Sequence, residues 1–207
     1  MLGEKDSHIG YFILILIGIL LTVGVYVFFT EPATGVEDNY QYSNGESVFN
    51  VTKVSETETY ITLYVGVEEY PYAIALRNDP LSLEDIPVEG TVHTRIYGDE
   101  GIYVTVNPLA NLSSKVTVAA LEIDKIIDNE YLYNIPVLSA MTLENEDGFP
   151  VVSCYDATDA VTVILLTLGS ETIVYTDEYC IVIVGTTEDE IIRAADRFLY
   201  ELLGIMQ

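Results

Sequence analysis

The chain has 207 residues with 33 Asp and Glu against 8 Lys and Arg, a formal net charge of −25, and only two Cys and two His. Nucleic acid is excluded as a partner, because phosphate binding needs clustered Lys and Arg, and anionic headgroups are disfavoured for the same reason. One histidine beyond residue 8 and two cysteines cannot furnish a usual zinc or iron ligand set.

Ile9 to Phe29, IGYFILILIGILLTVGVYVFF, carries no charge. At about 1.5 Å per residue it covers roughly 30 Å, so it is expected to be a transmembrane helix in contact with membrane lipid. The residues that follow, Thr30 to Gly35, offer no small-x-small cleavage site, so the segment should remain as an anchor. Lys5 precedes it and no Lys or Arg follows until Lys53. That asymmetry makes residues 1–8 a cytoplasmic tail and puts the C-terminal part outside. Residues 30–47, with Pro32, Gly35 and Gly45, read as a stalk linker. Residues 48–207 are expected to form one extracytoplasmic α/β domain, long enough to bury a real core.

Thr59 to Leu76 is rich in β-branched and aromatic residues, and Pro71 divides it into two short strands or places it at an edge. A loop spans Arg77 to Gly90. Ile102 to Val106 reads as a strand, and Ser114 to Asp128 as a helix. There Val116, Ala119, Ala120, Ile123, Ile126 and Ile127 share one face, with Ser113 or Ser114 as N-cap. Ile135 to Thr142 is again strand-like, so strand, helix and strand predict a crossover with parallel strands. Val161 to Leu168 and Thr172 to Tyr175 flank Gly169-Ser170-Glu171, which predicts a hairpin with a glycine-first turn. Cys180 to Val184 gives a third apolar strand. Thr187 and Glu190 form a capping-box pattern, and Ile191, Ala194, Ala195, Phe198 and Leu202 make a stripe ending at Gly204. The fold class is therefore α/β, with α+β as the alternative: a mixed sheet carrying two main helices at about 114–128 and 188–203.

Cys154 and Cys180 lie beyond the anchor and border the C-terminal strands. A disulfide would close a loop of about 26 residues and contribute about 3 kcal/mol in an oxidising compartment. Two buried thiols are the alternative. Asn50-Val51-Thr52 and Asn111-Leu112-Ser113 are glycosylation acceptor triplets, so Asn50 and Asn111 are candidate modification sites.

GTTEDEIIRAADRFLYELLGIM at Gly185 to Met206, PVVSCYDAT at Pro150 to Thr158 and RNDPLSLEDIPV at Arg77 to Val88 carry a resemblance. Through them the chain resembles uncharacterised archaeal single-pass membrane-anchored envelope proteins. The resemblance implies a cell-envelope setting and brings no activity with it.

His93 is the one candidate base beyond the anchor, and no Gly-x-Ser-x-Gly elbow accompanies it. No glycine loop is suited to phosphate, since Gly98 and Gly101 are interleaved with Asp99 and Glu100. Glu144, Glu146 and Asp147 supply oxygen donors for weak calcium binding, and calcium is the one cofactor considered. Asp156 and Asp159 form another carboxylate pair, without evidence of the facing geometry that glycoside hydrolysis needs. No residue is assigned a catalytic role. The expected function is a non-catalytic, membrane-anchored surface domain that binds or assembles with other envelope proteins. The alternatives are an accessory single-span subunit of a larger membrane complex, packing through Gly10, Gly18 and Gly24, and an exported enzyme.

Overall fold

A computed structural model describes residues 38–96 and 101–207. The expected tail, the transmembrane helix at 9–29 and the stalk as far as residue 37 lie outside the described residues, as do Gly98, Asp99 and Glu100. Among the described residues no helix is long and apolar enough to cross a membrane.

Residues 38–47 are not linker. Asp38–Ser43 forms β1, which pairs antiparallel with β2, Val48–Ser55. Tyr40 and Tyr42 turn toward the core, and burying those rings holds a segment that composition alone marks as polar. β3, Glu58–Val65, and β4, Tyr70–Leu76, complete a four-stranded antiparallel sheet in the order β1-β2-β3-β4. Pro71 is the second residue of β4, an edge strand, where proline is tolerated. The inward row is apolar: Val51, Ile61, Ile74 and Leu76 are buried, with Phe49, Leu63 and Tyr72 packed beside them.

The second sheet is mixed, in the order β5-β9-β10-β8-β6-β7. Its strands are β5 Val88–Glu89, β6 Ile102–Val106, β7 Val137–Met141, β8 Thr162–Leu168, β9 Ile173–Asp177 and β10 Cys180–Gly185. The short helix α1, His93–Ile96, precedes β6, while α2, Lys115–Ile127, joins β6 to β7 and α3, Glu188–Leu202, follows β10. β6 and β7 are parallel neighbours, as the strand-helix-strand spacing predicts.

The expected hairpin between Val161–Leu168 and Thr172–Tyr175 does not form. β10 lies between those strands, parallel to β8 and antiparallel to β9, so the hairpin is β9–β10. Gly169 serves a close crossing instead of a hairpin turn. Its N–H donates to the Gly185 carbonyl at 3.0 Å, and a Cβ there would fall 2.4 Å from Val184 Cγ1. The hairpin turn sits at Glu178, whose φ is +51°.

One apolar cluster runs through the inward row of the four-stranded sheet, one face of the six-stranded sheet and both long helices. Ile191, Ala194, Ala195, Phe198 and Leu202 are all buried, and so are Ile192, Asp196, Arg197, Leu199 and Tyr200 on the remaining faces of α3. The Thr187 hydroxyl accepts from the Glu190 N–H at 3.2 Å, while the Glu190 carboxylate engages Arg193 and Thr172. At α2 the helix starts after Ser114, and Ser113 Oγ accepts from the Lys115 N–H at 3.3 Å.

The opposite face of the six-stranded sheet holds a smaller cluster of Val163, Ile173, Cys180, Val182 and Val184, covered by Val152, Cys154 and Ala157. Cys154 and Cys180 are joined in a disulfide with their Cα atoms 5.2 Å apart. The bond ties the segment before β8 to β10, its parallel neighbour, not to an antiparallel one.

Candidate functional site

A cleft of about 460 Å³ opens where the end of β3 meets the end of α3. Leu63, Tyr64, Val65 and Gly66 line one side, Leu202, Leu203 and Gly204 another, and His93 and Tyr131 to Tyr133 close it. Local chemistry places each wall. Gly66 (φ +75°) turns the chain out of β3, and Gly204 (φ +69°) terminates α3 in the left-handed conformation that favours glycine. The Asn129 side-chain oxygen accepts from the Tyr131 N–H at 3.0 Å, and the Asn129 carbonyl accepts from Leu132 and Asn134, which folds the tyrosine-bearing segment tightly after α2. Tyr133 donates its hydroxyl to the Leu202 carbonyl at 2.6 Å, and Asn44 Nδ2 donates to the Gly204 carbonyl at 2.8 Å. Carbonyls at the end of α3 that have no partner within the helix are thereby satisfied.

A second lobe of about 480 Å³ shares Tyr131 and is lined by Tyr72, Asp124, Lys125, Asp128, Asn129 and Glu130. The Tyr72 and Tyr131 rings lie 5.4 Å apart at 40°, and Asn129 Nδ2 donates to the Tyr72 hydroxyl at 2.8 Å. Burial holds Asp124 above the usual carboxylate range, with the Asp128 charge adding to it. Lys125, the lysine of this lobe, is ion-paired with Glu122.

Strand register fixes which end of the sheet carries the cleft. Ser43 pairs with Val48 and Val65 with Tyr70 at one end, while Asp38 pairs with Lys53 and Thr59 with Leu76 at the other. The cleft is at the Val65 end, roughly 17 Å of strand from Asp38.

His93 lies in this cleft with Nε2 3.9 Å from Glu201 Oε1, while Glu201 Oε2 accepts from Arg197 Nη1 at 2.8 Å. Cys154 is consumed by the disulfide. Glu144, Glu146 and Asp147 are exposed, and Asn145 between them organises the loop by bonding the Phe149 N–H and carbonyl. Among the described residues no group of three or more His, Cys, Asp and Glu could hold a metal ion. Asp156 accepts from the Ser153 N–H at 2.8 Å and from its hydroxyl at 2.9 Å, and Asp159 is exposed. Asn50, on the outward face of β2, and Asn111, in the loop before α2, are exposed.

Asp196 escaped the sequence reading. It is fully buried on α3, and Oδ2 accepts from the Asn78 N–H at 2.8 Å and from Asn78 Nδ2 at 2.7 Å, while Oδ1 has no partner. Burial, with the nearby Glu122 charge adding to it and the Asn78 hydrogen bonds opposing it, pushes its pKa up to about 7. Tyr200 donates to the Asn78 carbonyl at 2.7 Å. Next to it, Asp79 accepts from the Tyr40 hydroxyl at 3.1 Å and pairs with Lys53 at 2.8 Å. None of these residues lines either cleft lobe, and together they pin the Arg77–Gly90 loop onto α3. The signal for it was an acid inside the apolar run of α3.

Comparison with protein-family profiles, curated proteins and solved structures found no match.

Proposed function

We propose that this chain is a non-catalytic, membrane-anchored domain of the cell surface that binds or assembles with other envelope proteins through the aromatic cleft. The observation that carries this reading is the cleft's position and exposure. It sits at the Val65 end of the four-stranded sheet, open to solvent. Tyr64 and Tyr131 stand 66% and 60% exposed beside it. Large, rigid, amphipathic rings at the mouth of a cleft are the side chains that binding surfaces favour. The disulfide supports an oxidising compartment, and the exposure of Asn50 and Asn111 is compatible with glycosylation there. The resemblance to archaeal envelope proteins supplies the setting.

Protease added to intact cells tests the topology. Loss of the domain with retention of a short anchored fragment is expected, and full protection until lysis overturns the reading. The exported-enzyme alternative has one contact in its favour, His93 beside Glu201. Turnover of any substrate abolished by His93→Ala would replace the binding reading with it.

A further inference from the structure

We infer that the cleft takes a cationic, partly apolar peptide segment of another protein, an inference that rests on the binding reading above. Its two lobes differ in chemistry. The first is lined by Leu63, Val65, Leu132 and Leu203 together with Tyr64 and Tyr131. The second presents Asp124, Asp128 and Glu130, and its lysine is already committed to Glu122. Among the described residues no ion pair joins Asp124, Asp128 or Glu130 to a Lys or Arg, while Glu130 engages the Tyr131 hydroxyl and the Asp128 charge adds to the burial that raises Asp124. A guest ammonium or guanidinium supplies the missing counter-charge, and the Tyr72 and Tyr131 ring faces can receive it.

Charge also selects among occupants. A chain of net charge −25 repels a second copy of itself and any anionic ligand, and steers basic segments toward it. Two adjoining lobes meeting at Tyr131 suit several residues of extended peptide, with apolar side chains in the first and basic ones in the second.

The test uses the full-length protein in nonionic detergent and three probes: a fluorescein-labelled octapeptide of alternating Lys and Val, the same peptide with Glu for Lys, and cellohexaose as a neutral sugar. Anisotropy should show saturable binding of the Lys peptide alone, weakened by added salt. The double variant Asp128→Asn, Glu130→Gln should weaken it about five- to tenfold at an unchanged melting temperature, as loss of two exposed charge pairs would. Tyr131→Ala should weaken it about tenfold, and the remote pair Glu144→Gln, Glu146→Gln should leave it unchanged. An equal loss in that remote pair, or equal binding of the Glu peptide, overturns the inference by reducing it to bulk charge or apolar contact. Displacement of the Lys peptide by cellohexaose keeps the cleft as a site and overturns the ligand class. No binding of any probe overturns this inference while the topology experiment still decides the surface reading.

Discussion

Asp196 and Asn78 are joined by two hydrogen bonds, from the Asn78 N–H at 2.8 Å and from its side-chain amide at 2.7 Å, both to the same carboxylate oxygen. The loop after β4 is thus fastened to a helix more than a hundred residues later, by an acid that water cannot reach. Glu122 and Lys125 on α2, Asn78 on the loop and Tyr200 on α3 are the polar groups around it.

A pH dependence follows. The folded pKa of Asp196, about 7, lies above the ordinary carboxylate value of 3.8. Protonation therefore favours the folded state, and the stabilisation present below about pH 4 is lost as pH rises toward 7, by up to about 1.4 kcal/mol per pH unit. Asp124, raised by burial, acts with the same sign, while Asp79, lowered by Lys53 and Tyr40 against its burial, acts with the opposite sign at lower pH. Urea unfolding of the wild type at pH 5 and pH 7.5 should give a higher midpoint at pH 5. Asp196→Asn should flatten that difference.

Reduction should cost stability without dissolving the sheet. The Cys154–Cys180 bond closes a separation of 26 residues, which corresponds to about 3 kcal/mol of constraint on the unfolded chain. A Cys154→Ser, Cys180→Ser variant should show a lower denaturation midpoint and the same far-UV circular dichroism. Wild-type midpoints that do not respond to dithiothreitol would contradict it.

Phe198→Ala should destabilise the domain by about 3 to 5 kcal/mol, because Phe198 is fully buried in the main apolar cluster and its truncation leaves a cavity there. Leu121→Ala on the outer face of α2, where Leu121 is 58% exposed, should change stability by less than about 0.5 kcal/mol. Differential scanning calorimetry of both variants checks the contrast.

Two glycines should rank in a definite order. A Cβ on Gly185 would lie 2.3 Å from the Ile191 backbone nitrogen and 2.6 Å from the Thr187 carbonyl oxygen, so the start of α3 would have to move. On Gly169 the nearest atom is Val184 Cγ1, a side chain that can shift by a smaller adjustment. Gly185→Ala should therefore lower the urea midpoint more than Gly169→Ala does, and the reverse order would discard this account of the crossing.

How legible was the fold? Local signals carried well where a single face meets the core. α3 was marked by Thr187, by the stripe through Phe198 and by Gly204, because 3.6-residue periodicity and caps are properties of adjacent residues. The strand at Ile102 and the division of Thr59 to Leu76 into two strands were legible in the same way, although the break falls at residues 66–69 and Pro71 lies inside β4. The candidate site was barely legible: His93 was singled out alone, and Tyr64, Tyr131 and Gly204 lie far apart in the chain.

The sequence by itself determined the acidic charge, the apolar run at 9–29, the two helices and the pair of cysteines available to each other. Only the tertiary structure decided strand order. A glycine-first turn between Leu168 and Thr172 satisfies local hairpin rules, yet β10 is buried on both faces and must occupy the interior of the sheet. Burying Cys180 to Gly185 between β8 and β9 removes apolar surface on both sides at once, which no turn preference can offset. The same long-range burial recruited Tyr40 and Tyr42 from an apparent linker, closed the cleft around Tyr131 and set Asp196 against Asn78, because those contacts depend on which surfaces meet and not on which residues are neighbours in the chain.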